Sequence, residues 1–298
     1  MSDFRLKVFQ SVAKNLSFTK ASQELFVSQP AITKHVQELE GLYQTRLFDR
    51  QGSKISLTAA GNLLLEHCER ILEDYKRLEY EMHLLNNVYT GELRLGASTT
   101  IAQYVVPPLL ALFIEKFPQV NLSLMNGNSR EIESALQEHR IDLGLVEGIF
   151  RLPNLKYSTF LEDELVAVVR AGSKLHLDEE ITPEDLLHIP LVLRERGSGT
   201  LDVFEKALQE HNIKLSSLQV LMYLGSTESI KLFLEHTECM GIVSIRSITR
   251  ELYAGKFRVV EIKGMPMLRD LCFAQLQGQE SGLSQEFMQF AMHHNNKL

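Results

Sequence analysis

Apolar residues recur at helical spacing through the first forty residues and predict three helices. The first is amphipathic and ends near Leu16. The second follows Ser17 and Thr19, which are both suited to cap a helix N-terminus. The third follows Ser28 and has Pro30 in its first turn, where a missing N–H is tolerated. Two short helices joined by a tight turn, with a polar outer face on the second, predict a helix-turn-helix.

Two short runs after the third helix predict a β-hairpin that forms a wing. They cover residues 47–50 and 55–57 around a turn at 51–54. The outer face of the third helix carries Gln29, Thr33, Lys34 and Gln37, which can reach base edges or phosphates in a major groove. The plain alternative is a three-helix interaction module with a solvated polar face.

A long helix is predicted from residue 58 to about residue 87, where helix formers dominate. Its apolar positions alternate in steps of four and three: Leu64, Cys68, Ile71, Tyr75, Leu78, Met82 and Leu85. About three heptads of this spacing predict a helix that pairs two copies of the chain. The alternative is that the stripe packs on its own domain.

Strand and helix patterns alternate through the remaining two-thirds and predict two similar α/β lobes with parallel sheets. In the first lobe a helix is expected from about 105 to 117, and a new strand at 165–170 opens the second. The chain then returns to the first lobe through a strand at 270–277 and a last helix at 284–295. The predicted domains are 1–58, a linker helix 59–89, and 90–298, with lobe I at 90–163 and 267–298 and lobe II at 164–266.

The composition argues against a membrane protein, a secreted protein and a disulfide-rich or metal-binding protein. Hydrophobic residues make up 44% of the chain, and no stretch approaches the roughly 18 apolar residues of a membrane span. The charged N-terminus does not resemble a secretory signal, so a cytoplasmic protein is expected. Three scattered cysteines are too few for a disulfide framework or a metal site, and no cofactor is predicted.

The distribution of charge is more informative than its sum. The chain has 31 basic and 38 acidic residues, yet residues 1–58 contain eight basic against five acidic side chains. A nucleic-acid surface is therefore expected within the first sixty residues. Arg50 and Lys54, on the predicted wing, are placed for backbone phosphates.

The N-terminal motifs resemble one family closely. The run Ser-Phe-Thr-Lys-Ala-Ser at 17–22, then Leu-Phe-Val-Ser-Gln-Pro-Ala-Ile-Thr-Lys at 25–34, resembles the signature of the LysR-type transcriptional regulators. Leu-Phe-Asp-Arg at 47–50 and Leu-Thr-Ala-Ala-Gly at 57–61 continue it in order. The resemblance implies that six residues face double-stranded DNA: Ser28, Gln29, Pro30, Thr33, Lys34 and Arg50. It implies a homodimer, usually a homotetramer, on an interrupted palindromic operator, and leaves contact with RNA polymerase open. At position 35 the family more often has Gln or another long polar residue, whereas this chain has His35.

Three hydroxyl- or glycine-rich turns lie between a strand and a helix in the C-terminal lobes, at 98–100, 197–200 and 225–227. Ligands of such folds sit at the carboxyl ends of strands, and backbone N–H groups at helix N-termini favour negative charge. A small anion bound between the lobes is therefore the expected effector. The alternative is that these side chains are ordinary helix caps.

The resemblance extends to this region, which looks like the effector domain of the subgroup governing sulfur assimilation and carbon fixation, similar to type 2 periplasmic binding proteins. It places Ser98, Thr100 and Thr200 at ligand-contact positions. Glu147 stands where sulfate-sensing members have Thr, which puts sulfate in doubt unless the carboxylate is protonated or paired, with Arg196 as the expected partner. The full predicted effector site is Ser98, Thr99, Thr100, Glu147, Arg196, Ser198, Gly199, Thr200, Ser226 and Thr227.

Enzyme and transport functions are disfavoured. The histidines lack metalloprotease spacing, Ser198 lacks the nucleophile-elbow context, and the glycine patterns lack a nucleotide-binding motif. A transport-type solute binder would need neither the basic module nor the heptad helix. The prediction is a DNA-binding regulator whose lobes close on a ligand and re-space paired DNA readers. A neutral or aromatic effector, or an α/β enzyme fused to a DNA-binding module, remain the alternatives.

Overall fold

The computed structural model describes residues 4–51, 54–84, 89–175, 177–278 and 282–294. By its internal contacts the chain divides into two compact units, Met1–Val88 and Tyr89–Leu298. No helix among the described residues has the length and apolar character needed to span a membrane.

The N-terminal unit packs four helices and a two-stranded hairpin around one apolar core. Ser17 caps the second helix by accepting a hydrogen bond from the Lys20 N–H at 3.2 Å. Gly61 lies in the first turn of the long helix, where an added Cβ would stand 2.1 Å from the Leu47 carbonyl oxygen. This close approach seats the long helix against the hairpin. The elements are α1 (Phe4–Asn15), α2 (Phe18–Glu24), α3 (Gln29–Tyr43), β1 (Phe48–Gln51), β2 (Lys54–Leu57) and α4 (Ala59–Leu84).

The second unit contains ten strands and seven α-helices among the described residues. Its first elements are β3 (Gly91–Ser98), α5 (Thr99–Tyr104), α6 (Val106–Lys116), β4 (Val120–Gly127), α7 (Ser129–Gln137), β5 (Leu143–Glu147) and β6 (Leu155–Arg170). The remaining ones are β7 (Glu180–Ile181), β8 (Leu191–Arg194), α8 (Gly199–Glu210), β9 (Val220–Leu224), α9 (Thr227–His236), β10 (Met240–Ser244), α10 (Ile245–Tyr253), β11 (Phe257–Ile262), β12 (Leu268–Leu276) and α11 (Leu283–His294).

Two long strands join the lobes. The sheet order is β4-β3-β5-β12-β6-β10-β8-β9, and β11 adds a second partner to β6. The first half of β6 pairs with β12, antiparallel, and its second half pairs with β10 and β11. On one side of this antiparallel centre β3 pairs in parallel with β4 and β5, and on the other side β8 pairs in parallel with β10 and β9. The carboxyl ends of β3, β5 and β8 therefore face a cleft between two separately packed lobes, as expected for ligand-binding α/β folds.

The structure corrects two of the predicted elements. The helix expected from about 105 to 117 is preceded by a separate short helix, α5, because the backbone breaks at Val105 ahead of two prolines. The strand predicted to begin at 165 is the second half of β6, a single strand of 16 residues. Its acidic centre, Glu-Asp-Glu at 162–164, interrupted the apolar pattern that the prediction relied on.

Candidate functional site

The outer face of α3 is the first candidate surface. Ser28 has the extended backbone of an N-cap, but its side chain makes no capping hydrogen bond. Ser28, Gln29, Pro30 and Lys34 are exposed, and Thr33 is half-buried. The Thr33 hydroxyl donates to the Gln29 carbonyl oxygen at 3.1 Å, which satisfies it within the helix. The exposed side chains leave one polar, positively charged face of α3 open to solvent.

Near this face, the structure describes the side chain of His35 but not that of Arg50. The ring of His35 packs edge-on against the ring of Phe4, 5.4 Å between centroids, and its Nδ1 lies 3.5 Å from a Glu38 carboxylate oxygen. His35 therefore braces α3 against α1 rather than extending outward. Arg50 lies in β1, but its side chain and residues 52–53 at the wing tip are outside the described residues.

The predicted heptad stripe of α4 divides between two environments. Cys68 is fully buried in the core of its own unit, and Leu64 packs against the same core. Burial raises the pKa of the Cys68 thiol to about 12. Ile71 and Leu78, which continue the same stripe, are 40% and 52% exposed. The assignment of Cys68 to a pairing seam was wrong, because heptad spacing does not specify which neighbour a position packs against. Leu64 is only partly buried against this core, and its place in a seam stays a prediction. Leu85 lies outside the described residues.

The second candidate site is the cleft between the lobes. Ser98, Thr99 and Thr100, at the junction of β3 and α5, are all buried. The Thr99 hydroxyl donates to the Gly127 carbonyl oxygen at 3.2 Å and accepts from Arg194 Nη2 of the opposite lobe at 3.2 Å. Three hydroxyls thus line one wall of the cleft, and one of them already bridges the lobes.

The side chain of Arg194 is fully buried. Its Nε and Nη2 donate to the two carboxylate oxygens of Glu195 at 2.8 and 3.0 Å. Its Nη1 has no hydrogen-bond partner among the described residues. Since a buried guanidinium nitrogen without an acceptor is costly, this donor marks a place where an acceptor is expected.

A second arginine organises the floor of the cleft. Arg269 is fully buried on β12 and forms an ion pair with Asp163 on β6, at 2.7 Å from Nη2 and 2.8 Å from Nε. Its Nη1 lies 3.2 Å from Glu147 Oε1 and donates to the Thr200 hydroxyl at 3.0 Å. The other Asp163 oxygen accepts from the Ser244 hydroxyl at 2.7 Å. One guanidinium therefore links both lobes and the two strands that join them.

Glu147 is paired, but not with the predicted partner. Its Oε1 accepts from the Thr100 hydroxyl at 3.2 Å and faces Arg269, whereas Arg196 is exposed. The prediction that Arg196 neutralises Glu147 was wrong. Arg269 is some 120 residues further along the chain, and only the antiparallel pairing of β5 with β12 brings it there.

The N-terminus of α8 forms the opposite wall. Ser198 caps this helix by accepting from the Leu201 N–H at 3.2 Å, as the helix-cap alternative expected. Thr200 faces the cleft floor, where it binds Arg269. Gly199 approaches lobe I so closely that an added Cβ would lie 2.2 Å from the Glu147 carbonyl oxygen. Only glycine permits this contact, so the two lobes meet directly at the predicted site.

The third predicted turn lies at one end of the cleft. Ser226 caps α9 by accepting from the Ser229 N–H at 3.1 Å, and Thr227 is buried. Beside them the Tyr104 hydroxyl of lobe I donates to the Glu228 carboxylate of lobe II. Burial, then this hydrogen bond, raises the pKa of Tyr104 above its ordinary range, so the hydroxyl remains a donor. This end of the cleft is closed by a contact between the lobes.

Three polar atoms in the cleft have no hydrogen-bond partner among the described residues. They are Ser98 Oγ, Arg194 Nη1 and Glu147 Oε2, and all three residues are at least nine-tenths buried. Thr99 touches Arg194, and Thr100 touches Glu147, so these residues border one stretch of the wall. Two donors and one acceptor are therefore available to a ligand.

Sequence reasoning did not assign Asp163, Arg194 or Arg269 to the site. A signal existed, because each is an ionisable residue inside or at the end of a buried strand, where charge is costly unless it is paired. The partner of each could not be read from the sequence, since strand order decides it.

Comparison with known proteins gives the same two-part division. Residues 4–62 match the bacterial regulatory helix-turn-helix protein, lysR family, and residues 86–296 match the LysR substrate binding domain. The α/β architecture predicted from the sequence, with its N-terminal helix-turn-helix and two-lobed C-terminal region, is confirmed.

Similar proteins are transcriptional regulators. The HTH-type transcriptional regulator CysL of Bacillus subtilis is 28% identical over 268 residues, which cover 90% of this chain and 89% of that protein. A probable RuBisCO transcriptional regulator of Cyanidioschyzon merolae is 32% identical over 270 residues, with 90% and 89% covered. The structure of the Synechocystis PCC6803 CcmR regulatory domain in complex with 2-PG superposes with a TM-score of 0.63 at 27% identity, covering 70% of this chain and 99% of that one.

Proposed function

Because the chain belongs to the LysR family of transcriptional regulators, and is a regulator rather than an enzyme, we propose that it reads an interrupted palindromic operator and responds to a small anion in the interlobe cleft. In this proposal residues 1–58 bind DNA, residues 59–89 pair two chains, and residues 90–298 bind the effector.

The exposed face of α3 supports the DNA contact. Ser28, Gln29 and Lys34 project from the first turns of a helix that follows a tight turn, the usual geometry of a recognition helix in the major groove. Gln can pair with adenine, and Lys can meet guanine or a phosphate. Pro30 and Thr33 fix the start of α3, and Arg50 is assigned to a wing phosphate.

The exposed side of α4 supports pairing of two chains. Ile71 lies beside the core residues Cys68 and Leu72, and Leu78 lies further along α4; both are large apolar residues that remain exposed. Burying such residues against a second copy is favourable by about 25 cal/mol for each Å² removed from water. A symmetric pair places two recognition helices on one duplex, which explains a palindromic operator. A dimer of such dimers would form the tetramer.

The cleft supports an anionic effector through two unpartnered donors. Arg194 Nη1 and Ser98 Oγ are buried beside the N-terminus of α5, and the longer helices α8 and α9 begin at the opposite wall. Cationic and N–H donors directed into a buried space favour negative charge. The related CcmR domain was solved in complex with 2-PG. The single observation that carries the proposal is the buried, partnerless nitrogen of Arg194.

In this proposal, closure of the two lobes around the effector couples effector binding to DNA binding. Arg194, Tyr104 and Arg269 each bridge the lobes, so a ligand among them changes the free energy of closure. A ligand can shift the assembly only by its difference in affinity for two states, typically about 1–3 kcal/mol.

A thermal-shift screen of the full chain tests the anion. The panel is sulfite, sulfate, thiosulfate, nitrate, phosphate, O-acetylserine, phosphorylated sugars and 2-PG. A ligand present at 100 times its Kd is expected to stabilise the chain by about 2.7 kcal/mol, which raises the Tm visibly.

Ser98→Ala is the matched variant. It removes a hydroxyl that has no protein partner, so the fold is expected to tolerate it while the ligand shift disappears. Ser216→Ala, at an exposed serine of lobe II, is the control and keeps the shift. If no anion shifts the Tm, the effector is neutral or aromatic. If the shift survives Ser98→Ala, the anion binds elsewhere.

A further inference from the structure

The acceptor in the cleft restricts which anions can bind. We propose that Glu147 makes the site select a ligand that carries an N–H or O–H donor beside its anionic group, and reject a fully deprotonated oxyanion such as sulfate. This inference rests on the proposed anionic effector and specifies its chemical class.

The geometry of Glu147 carries the proposal. Oε1 is occupied by the Thr100 hydroxyl and by Arg269, both at 3.2 Å, and the residue is almost fully buried. Oε2 of the same carboxylate is also buried and has no partner among the described residues. An ionised carboxylate only accepts hydrogen bonds, so a ligand that displaces water from this oxygen must supply a donor in its place.

The other charges of the cleft do not remove this requirement. Arg269 is shared by Glu147 and Asp163, and Asp163 has a second, partly exposed cation in Arg246, whose Nε lies 3.6 Å from Oδ1. Arg269 contacts Glu147 at Oε1 and not at Oε2. A ligand oxygen without a proton would therefore face Oε2 with no cation between them. Lone-pair and like-charge repulsion in a buried site then oppose binding.

The donors lie at the other end of the same wall. Arg194 Nη1 and Ser98 Oγ can donate to the anionic part of a ligand, and Thr99 and Thr100 connect this end to Glu147. The site therefore offers donors for a negative group and one acceptor for a hydrogen on the same molecule. Hydrogen phosphate meets this pattern with its own O–H, a phosphorylated sugar meets it with a sugar hydroxyl beside its phosphate group, and an amino-acid derivative meets it with an ammonium group.

Isothermal titration calorimetry of the full chain at pH 7 distinguishes these ligands. Inorganic phosphate and sulfate have the same tetrahedral shape, but phosphate keeps a proton at this pH and sulfate does not. O-acetylserine tests the ammonium source of the donor. We expect phosphate or O-acetylserine to bind at least about tenfold more tightly than sulfate, because one well-placed hydrogen bond to a charged group is worth about 1.5–3 kcal/mol. The tighter of the two identifies the source of the hydrogen.

Glu147→Gln is expected to weaken the preference. The Gln amide supplies N–H donors, so sulfate is expected to gain affinity and its deficit to shrink to below about threefold. Glu138→Gln is the control, since Glu138 is exposed, pairs with Arg140 at 2.7 Å, and leaves the preference unchanged. The wild-type comparison needs no variant, so it decides the proposal even if Glu147→Gln fails to fold.

The outcomes separate the two proposals. Sulfate binding as tightly as phosphate and O-acetylserine would overturn the selection by Glu147 and leave the anionic effector standing. An unchanged preference in folded Glu147→Gln protein would do the same. Absence of binding by every probe in the calorimeter and in the thermal-shift panel would overturn both.

Discussion

Replacing Arg269 with methionine removes the cation that joins the two lobes of the second unit. The side chain is fully buried, and its three donor nitrogens contact Asp163, Glu147, Thr200 and Thr100 within 2.7–3.4 Å. Methionine is flexible and similar in length, so the loss of charge dominates over loss of volume.

The size of the destabilisation depends on which partners Asp163 and Glu147 keep once Arg269 is removed. Asp163 would keep the Ser244 hydroxyl at 2.7 Å, and Glu147 would keep Thr100 at 3.2 Å. Neither carboxylate would retain a fully buried cation. Breaking a buried ion pair from one side costs about 3–5 kcal/mol, and the remaining hydroxyl partners place Arg269→Met near the lower end, about 3 kcal/mol.

Urea unfolding of the full chain, followed by circular dichroism, measures this change. With an m-value of about 2 kcal/mol/M, the midpoint is expected to fall by about 1.5 M. Arg140→Met is the control, because Arg140 pairs with Glu138 at half-exposed positions and is worth less than about 1 kcal/mol. The triple variant with Glu147→Gln and Asp163→Asn should regain part of the loss, since no uncompensated charge remains. If Arg269→Met is no more destabilising than the control, the assignment of Arg269 as the buried hub is wrong.

Three further predictions concern other parts of the chain. Lys34→Ala should weaken operator binding in fluorescence anisotropy and reduce the slope of log K against log salt by about 0.9, the value of one phosphate contact; an unchanged slope would show that Lys34 does not meet DNA. Cys68, buried and with a pKa near 12, should resist thiol reagents at pH 8 in the folded chain, and rapid labelling would contradict its place in the core. Gly199→Ala should lower the Tm through a clash worth about 1–3 kcal/mol with the Glu147 carbonyl, whereas Gly172→Ala, with no atom within 4 Å, should not.

The helix-turn-helix could be predicted from the sequence because the residues that determine it lie close together in the chain. The cap at Ser17, the proline in the first turn of α3 and the apolar stripe that buries Ile32, Val36 and Leu39 all lie within a few residues of one another. Local rules therefore predict the helices and which side of α3 faces solvent. They do not predict that His35 turns toward Phe4, since that contact depends on how α1 crosses α3.

The residues of the cleft could be predicted from the sequence only in part. The hydroxyl- and glycine-rich turns at 98–100 and 197–200 were identified from their position between a strand and a helix, and both lie in the cleft. The pairing of Glu147 was assigned to Arg196, the basic residue of another predicted turn of the site, and this was wrong. Turn motifs do not reveal which basic residue faces a carboxylate, because strand pairing brings distant residues together.

The sequence by itself determined the order of helices and strands, the basic character of the first unit and the resemblance to a family of regulators. These properties depend on side-chain periodicity, helix capping and composition, which act over a few residues. Tertiary structure alone decided that Cys68 and Leu64 face the core of their own unit, and that Asp163, Glu147 and Arg269 share one buried network. The physical reason is that burying a charge is favourable only with a partner at about 3 Å, and the partner is supplied by strand order rather than by sequence distance.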